Sequence, residues 1–238
     1  MRERPARVAI DAVLLEFDGV LADTRLVRRE AMAGVLESEG IPLSDAAYRE
    51  HCAGHSTADA VRALIAHHDL DMDETGLDLL TLRIDRAFSQ HIAKGVMLVD
   101  GARETVERLA SRVRLGVVSR LKREDVEFVL SLAGLEDAFR CVIGADDAYP
   151  RKPDPAPYFA ALRRLDGRRP IPARGLVVTL EDSSDGIRAA RAAHLRCIAV
   201  GDVPAHLAME ADAIIPSIAG VDVSSLEHLV AHAGENFA

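Results

Sequence analysis

Six short apolar runs alternate along the chain with stretches that carry apolar residues at helical spacing. The apolar runs are Val8–Phe17, Arg114–Ser119, Cys141–Ile143, Leu176–Leu180, Cys197–Val200 and Ala213–Ile215. The helical patterns between and after them cover about residues 101–111, 122–133, 154–165, 185–194 and 224–233. Nearly uninterrupted apolar strands are typical of parallel sheets that helices cover on both faces. The pattern therefore predicts an α/β fold with a doubly wound, Rossmann-like parallel core.

One interval, between Thr24 and about Val96, departs from this alternation and contains helical patterns but no convincing strand. These patterns are Arg25–Gly40, Ala46–Cys52, Thr57–His68 and Glu74–Ala93. The segment Gly40-Ile41-Pro42 ends the first of them, because glycine and proline stop helices. We therefore predict an α/β core formed by residues 1–24 and 97–238, with an all-helical cap at residues 25–96 inserted after the first strand.

Composition and charge narrow the classes of function. The formal net charge of −9 disfavours a nucleic-acid partner, and no apolar run approaches the roughly 18 residues of a membrane helix. Asp11 and Glu16 interrupt the first apolar stretch, which argues against a signal peptide. Cys52, Cys141 and Cys197 show neither a disulfide framework nor zinc spacing. We expect a cytoplasmic protein with a small-molecule partner, and no pattern indicates an oligomeric state.

Polar side chains follow the first predicted strand, at the edge of the sheet where ligands of such folds bind. The strand ends in Glu16-Phe17-Asp18-Gly19, and strand alternation puts Glu16 and Asp18 on the same side. Two such carboxylates can bind a divalent metal or act as nucleophile and general acid. By itself the pair also fits a polar strand end that is capped by a glycine turn.

Three further segments bring polar groups to the same edge. The Ser119 hydroxyl and the backbone at Arg120 can bind phosphate oxygens, although a serine in this position often only caps a helix. Lys152, in a proline-rich loop, can neutralise a phosphoryl group or the carboxylates, and we expect it at a cleft rim together with Ser119. Glu181 and Asp182 directly follow an apolar strand and indicate a cation.

Taken together, the four segments resemble, in order and spacing, the four signature motifs of the haloacid dehalogenase superfamily. Glu16–Thr24 is similar to the first motif, usually Asp-x-Asp-Gly, Ser119 to the second, Lys152 to the third and Glu181–Ser183 to the fourth. The helical interval lies where the cap of the phosphatase and β-phosphoglucomutase-like branch lies. The resemblance covers nearly the whole chain. It implies a Mg²⁺-dependent phosphatase that acts on a small phosphorylated metabolite, such as a sugar phosphate.

The resemblance also implies catalytic and phosphate-binding roles. The residue at position 16 would attack phosphorus and form an acyl phosphate. Asp18 would protonate the leaving group and then activate water. Ser119 and the backbone at Arg120 would bind the phosphoryl oxygens, while Lys152 would balance their charge.

The metal site is implied in the same way. Mg²⁺ would be bound by a Glu16 oxygen, the backbone carbonyl of Asp18 and the Asp182 carboxylate, with Glu181 assisting. Oxygen ligands of this kind are the ones that Mg²⁺ prefers.

Glu16 departs from the pattern of the superfamily, in which the nucleophile is Asp. The extra methylene adds a C–C bond of roughly 1.5 Å, and a misplacement of about 1 Å can reduce a rate about a hundredfold. Three alternatives fit this residue: a working phosphatase, a catalytically silent binding protein of the same fold, and a substitution introduced to trap a ligand.

A second departure lies in the cap. Related phosphomutases carry an Arg in a Gly-x-Ser-Arg segment, whereas this chain has Gly54-His55-Ser56-Thr57. We expect Gly54, His55 and Thr57 to contact substrate, and the missing Arg makes a phosphomutase less favoured than a phosphatase. A halide-releasing hydrolase is also disfavoured, because that reaction needs no metal and the chain carries Glu181-Asp182.

Overall fold

The computed structural model describes residues 9–52, 55–147, 149–166, 171, 177–203 and 209–233. The chain divides into two compact units. Residues 1–23 and 97–238 form one of them, here called the core unit, and residues 24–96 form the other, the cap unit. Among the described residues, the core unit contains a sheet with helices, and the cap unit contains helices and no strand of a sheet.

The core unit contains a six-stranded sheet in which every neighbouring pair is parallel. Its strands are β1 (Ala12–Leu15), β2 (Arg114–Val118), β3 (Phe139–Ile143), β4 (Val177–Glu181), β5 (Arg196–Val200) and β6 (Ala213–Ile215). The strand order is β3-β2-β1-β4-β5-β6. From β1 the chain therefore adds β2 and β3 on one side of the sheet, and from β4 it adds β5 and β6 on the other side. This topology confirms the predicted α/β, doubly wound parallel fold, and its switch point lies between β1 and β4.

The central strands are buried along their whole length. All residues of β1 and β4 are buried, including the polar Thr179 and Glu181. Such strands pack only when helices cover both faces of the sheet, which explains their almost continuous apolar sequence. Of the two polar exceptions, Glu181 is the charged one, and it lies at the carboxyl end of its strand.

The described part of the cap unit contains four helices: α1 (Arg25–Ser38), α2 (Asp45–His51), α3 (Thr57–His67) and α4 (Glu74–Ile92). Their apolar faces form one hydrophobic cluster, which includes Met32, Leu64 and Ile84. Side chains cap three of the helix starts, because Ser44, Ser56 and Asp73 each accept a hydrogen bond from the backbone N–H three residues later.

The core unit carries α5 (Ala102–Ala110), α6 (Arg123–Leu132), α7 (Ala156–Asp166), α8 (Ser184–Ala192) and α9 (Val223–Ala231). A 3₁₀ turn at Glu136–Ala138, which the sequence pattern did not predict, precedes β3. Helices α7 and α8 pack on one side of the sheet, where Tyr158 and Ile187 join Leu14 and Ile143 in a buried cluster. Ser183 caps α8 through the backbone N–H of Gly186. No described helix is long and apolar enough to cross a bilayer.

Candidate active site

Three neighbouring strands deliver three of the predicted site residues to one edge of the sheet. Glu16 follows β1 and its N–H donates to the Leu180 carbonyl at 3.0 Å. Ser119 follows β2 and its N–H donates to the Ile143 carbonyl at 2.8 Å. Glu181 is the last residue of β4. Because these strands are parallel and adjacent, their carboxyl ends bring the polar side chains together.

Lys152 is buried among these strand ends. Its Nζ donates to Glu16 Oε2 at 2.7 Å, to the Val118 carbonyl at 2.7 Å and to Glu181 Oε1. The prediction that Lys152 and Ser119 lie at a cleft rim is wrong, since they are only 7% and 6% exposed. Two carboxylates and a main-chain carbonyl replace the water that an exposed ammonium would bind, so the lysine can be buried.

The charges of this group depend on one another. Burial alone would lower the pKa of Lys152, but Glu16 and Glu181 raise it above its ordinary value. Burial would raise the pKa of Glu16, yet Lys152 and Arg120 hold it below its ordinary value. For Glu181, burial and the nearby Glu16 raise the pKa against the effect of Lys152. The central pair is therefore a protonated lysine and an ionised Glu16.

Asp182, the residue after β4, has a carboxylate oxygen that is left unsatisfied by the described part of the chain. Its Oδ1 is buried and has no hydrogen-bond partner among those residues. Its other oxygen lies against Gly19, where an added Cβ would stand 2.1 Å from Oδ2. Gly19 also has a φ of +77°, which glycine adopts without strain. The turn after β1 thus needs glycine both for its conformation and for the space that Asp182 takes.

The pKa of Asp182 is raised to about 8 by burial and by the neighbouring carboxylates Glu16, Glu181 and Asp18, with Arg120 acting in the opposite direction. A carboxylate with such a pKa lies in a place with too little positive charge. Its unsatisfied oxygen and its raised pKa both indicate a position for a cation.

Arg120 supplies positive charge to this cluster. Burial would lower the pKa of its guanidinium, but the carboxylates around it, led by Glu16 and Asp182, raise it. The sequence analysis assigned a role only to the backbone of this residue. The position of Arg120 directly after β2 was the one feature of the sequence that could have indicated a role for its side chain. The cluster comprises the acids Glu16, Asp18, Glu181 and Asp182 and the bases Arg120 and Lys152.

The donor set fits Mg²⁺. Four carboxylates face two basic side chains, so a divalent cation would balance the cluster. Within the described ranges, no three or more His, Cys, Asp and Glu side chains are arranged to hold one metal ion. Mg²⁺ does not require such a set, because it commonly uses one or two carboxylates with waters and substrate oxygens. Asp182 and Glu16 are the carboxylates that would hold it.

The Ser119 hydroxyl is oriented by the turn that follows β2. Its oxygen accepts the Leu121 N–H at 3.1 Å. The hydroxyl proton can therefore be donated to another acceptor, such as an anionic oxygen.

The predicted substrate residues of the cap lie in the other unit. His55 is exposed, and its carbonyl accepts a hydrogen bond from Arg28 Nη2 at 2.6 Å. Thr57 is the first residue of α3 and follows the capping residue Ser56. Gly54 lies outside the described residues. The contact of His55 and Thr57 with substrate stays a prediction.

Sequence reasoning missed Tyr158. The residue is 1% exposed, and its hydroxyl donates to Glu181 Oε1. It lies in the first turn of α7, six positions after Lys152. The spacing of the apolar residues around it is typical of a helix that packs against a core. Nothing in that pattern distinguishes a tyrosine that packs in a core from one that also binds a buried carboxylate.

Comparison with known proteins agrees with this geometry. Residues 13–200 match the family described as haloacid dehalogenase-like hydrolase. Validoxylamine A 7'-phosphate phosphatase of Streptomyces hygroscopicus subsp. limoneus is 28% identical over 210 residues, which cover 87% of this chain and 94% of that protein. The phosphorylated carbohydrates phosphatase of Thermotoga maritima is 28% identical over 194 residues, which cover 79% of this chain and 84% of that protein.

Among solved structures, CbbY from Rhodobacter sphaeroides in complex with phosphate has a TM-score of 0.74 and 28% identity. The match covers 89% of this chain and 96% of that one. The family match spans most of the chain, including the strand ends that carry Glu16, Ser119, Lys152 and Asp182. The resemblance drawn from the four polar segments is confirmed, and the chain belongs to the haloacid dehalogenase-like hydrolases.

Proposed function

We propose that this protein is a Mg²⁺-dependent phosphatase that hydrolyses a small phosphorylated metabolite through phosphoryl transfer to Glu16. The observation that carries the proposal is the buried, ionised Glu16 paired with Lys152, beside the unsatisfied oxygen of Asp182. The named phosphatases among the relatives support a phosphoric monoester hydrolase. One of those names refers to phosphorylated carbohydrates and the other to a 7'-phosphate, which favours a phosphorylated sugar.

The residues around Glu16 would bind the phosphoryl group. The Ser119 hydroxyl can donate to one of its oxygens, and the ammonium of Lys152 is close enough to Glu16 to lie beside the transferring group. Mg²⁺, held by Asp182 and Glu16, would shield the negative charge of both carboxylate and phosphate. The side chain of Arg120 adds a further positive charge at the same strand ends.

Glu16 is suited to attack because it is ionised and held in place. Its Oε1 accepts the N–H of Phe17 at 2.8 Å, and its Oε2 accepts Lys152 Nζ at 2.7 Å. In the first step, a carboxylate oxygen forms a bond to phosphorus while the ester P–O bond breaks, and Asp18 gives its proton to the leaving oxygen. In the second step, water gives a proton to Asp18 and bonds to phosphorus, which releases phosphate and the Glu16 carboxylate.

A second candidate, a silent protein that binds phosphorylated ligands, is favoured by one observation. Both oxygens of Glu16 already accept hydrogen bonds, and its chain is one methylene longer than that of the usual Asp. The two candidates differ in turnover but not in binding, so phosphate release separates them.

The test is a phosphate-release assay over a broad panel of sugar phosphates and other small phosphate esters, with Mg²⁺ or with EDTA. The parent, Asp182→Asn and the matched control Asp78→Asn, an exposed residue of α4, are compared. We expect Mg²⁺-dependent release by the parent and the control, and its loss in Asp182→Asn. Binding of a phosphate ester without release would favour the silent protein, and equal release with EDTA would overturn the metal dependence.

A further inference from the structure

Tyr158 contacts both charged partners at the centre of the site. Its hydroxyl donates to Glu181 Oε1, the same oxygen that accepts Lys152 Nζ. The Lys152 ammonium also lies 5.2 Å from the centroid of the Tyr158 ring, within the range of a cation–π interaction. One side chain therefore binds the carboxylate through its hydroxyl and the ammonium through its ring.

From this geometry we infer that Tyr158 is a positioning residue, which holds Glu181 in one orientation and thereby fixes the Lys152 ammonium against Glu16. The inference rests on the proposed function, because it assigns Tyr158 a part in the same phosphoryl transfer. Tyr158 does not contact Glu16 in any hydrogen bond of the described residues, so it acts through Glu181 and Lys152.

The Glu181 carboxylate is held from two sides. Its Oε1 accepts two hydrogen bonds, from Lys152 and Tyr158. Its Oε2 lies 3.5 Å from Ser183 Oγ and occupies the space beside Gly186, where an added Cβ would stand 1.7 Å away. The glycine thus leaves room for the carboxylate on α8, and Tyr158 holds it from α7.

Loss of the hydroxyl leaves a gap in this chain of contacts. Glu181 is 0% exposed, so no bulk water replaces the lost donor at Oε1. The carboxylate would then draw closer to Lys152 or rotate about its terminal bond. Either change moves the ammonium relative to Glu16, and small misplacements of this kind slow a chemical step more than they weaken binding.

The substitution Tyr158→Phe removes the hydroxyl and keeps the ring. We expect kcat for phosphate release to fall about tenfold or more, as for loss of a hydrogen bond to a charged group, while KM changes by less than about threefold. The matched control is Tyr48→Phe, which removes a hydroxyl that donates to the Arg25 carbonyl at 3.3 Å in the cap unit. If Tyr158 only stabilised the fold, Tyr158→Phe would lower the melting temperature without lowering kcat more than it changes KM.

A second measurement does not depend on turnover. The chain has no Trp and three Tyr, so the double variant Tyr48→Phe/Tyr149→Phe leaves Tyr158 as the only emitting residue. A tyrosine whose hydroxyl donates a hydrogen bond to a carboxylate oxygen emits weakly. Emission should therefore rise when Glu181→Gln is added to the double variant, and equal emission in the two proteins would overturn the contact on which the inference rests.

The outcomes separate the inference from the proposed function. A parent protein without Mg²⁺-dependent turnover contradicts the proposed function, and the emission test still decides whether the Tyr158 hydroxyl donates to Glu181. A parent with turnover, together with equal kcat in Tyr158→Phe and Tyr48→Phe, contradicts the positioning role. A kcat that falls only in Tyr158→Phe, with KM retained, supports it.

Discussion

Only the core unit, among the described residues, buries ion pairs completely, whereas the ion pairs within the cap unit are exposed. In the core unit, the ion pairs of Lys152 with Glu16 and Glu181 involve side chains that are at most 2% exposed. In the cap unit, the pair between Arg29 and Asp45 joins side chains that are 36% and 70% exposed. Exposed pairs contribute little to stability, whereas buried ions carry a desolvation cost that only well-placed partners offset.

The difference indicates which charges serve the fold and which serve chemistry. The cap unit is held together by an apolar cluster and capped helices, and its charged residues lie on the surface. The core unit has an ample apolar core of its own, yet it also gathers four acids and two bases at the carboxyl ends of three strands. A fold alone has no need of such a cluster, so we attribute it to function.

The largest effect should follow from removal of the central cation. Lys152→Met keeps most of the side-chain volume but leaves Glu16 and Glu181 buried without their partner. We expect the free energy of unfolding to fall by about 3–5 kcal/mol, and phosphate release to be lost. Urea unfolding in EDTA measures the first effect. A loss below about 1 kcal/mol would mean that the cluster is hydrated in solution and not buried.

The next effect concerns Asp182 and pH. Its pKa is raised from 3.8 to about 8 by burial and by three carboxylates. The folded protein therefore holds a proton here that the unfolded chain loses near pH 4. The stability that this proton contributes is full below pH 4 and is lost as the pH rises through about 8.

Asp182→Asn removes this dependence, because the amide does not titrate. In EDTA at pH 8 we expect the variant to exceed the parent in free energy of unfolding by about 2 kcal/mol or more, with a much smaller difference at pH 5. Mg²⁺ at pH 8 should stabilise the parent but not the variant. If the free energy of unfolding changes with pH in the same way in both proteins, the pKa of Asp182 is not raised and its surroundings do not lack positive charge.

A smaller effect is expected for Glu16→Asp, which restores the residue that the superfamily usually has. We expect phosphate release to rise at least tenfold, equal to about 1.4 kcal/mol of barrier, because the shorter side chain removes a misplacement of the nucleophile. Initial rates at saturating substrate measure this change. A parent that is already as fast as the variant would mean that the site accommodates Glu16.

The smallest effect should come from the cap. Arg29→Met removes an exposed ion pair between α1 and α2, and we expect a loss of less than about 1 kcal/mol in urea unfolding. This variant is the matched control for Lys152→Met. If Arg29→Met lowers the free energy of unfolding as much as Lys152→Met does, then exposed and buried ion pairs contribute equally to the stability of this protein.

Much of the fold could be predicted from sequence because each element carries a strong local pattern. The strand at Ala213–Ile215 and the start of α1 at Arg25 agree with the prediction, and α1 ends before the predicted Gly40, which has a φ of +73°. Val8 and Leu176, at the starts of two predicted strands, lie outside the described residues. The order of the strands could not be predicted, because all of them are similarly apolar.

The sequence singled out Glu16, Lys152 and Glu181, which the structure brings together, but it did not predict that Lys152 is buried. Lys152 is buried because of Glu16 and Glu181, which stand 136 and 29 positions away in sequence. Local pattern cannot reveal contacts over such distances, and for the same reason it gave no role to Tyr158 or to the Arg120 side chain.

Phosphoryl transfer to Glu16 can be tested by trapping the phosphoryl group on this residue. The protein is quenched with acid during turnover of a substrate from the panel, reduced with borodeuteride, and mapped by peptide mass spectrometry. Reduction of an acyl phosphate converts the side chain of that residue to a deuterated alcohol. We expect this modification at Glu16 and its absence in Glu16→Gln, which should also lose turnover. Turnover that persists in Glu16→Gln, or a modification at another carboxylate, would show that Glu16 is not the nucleophile.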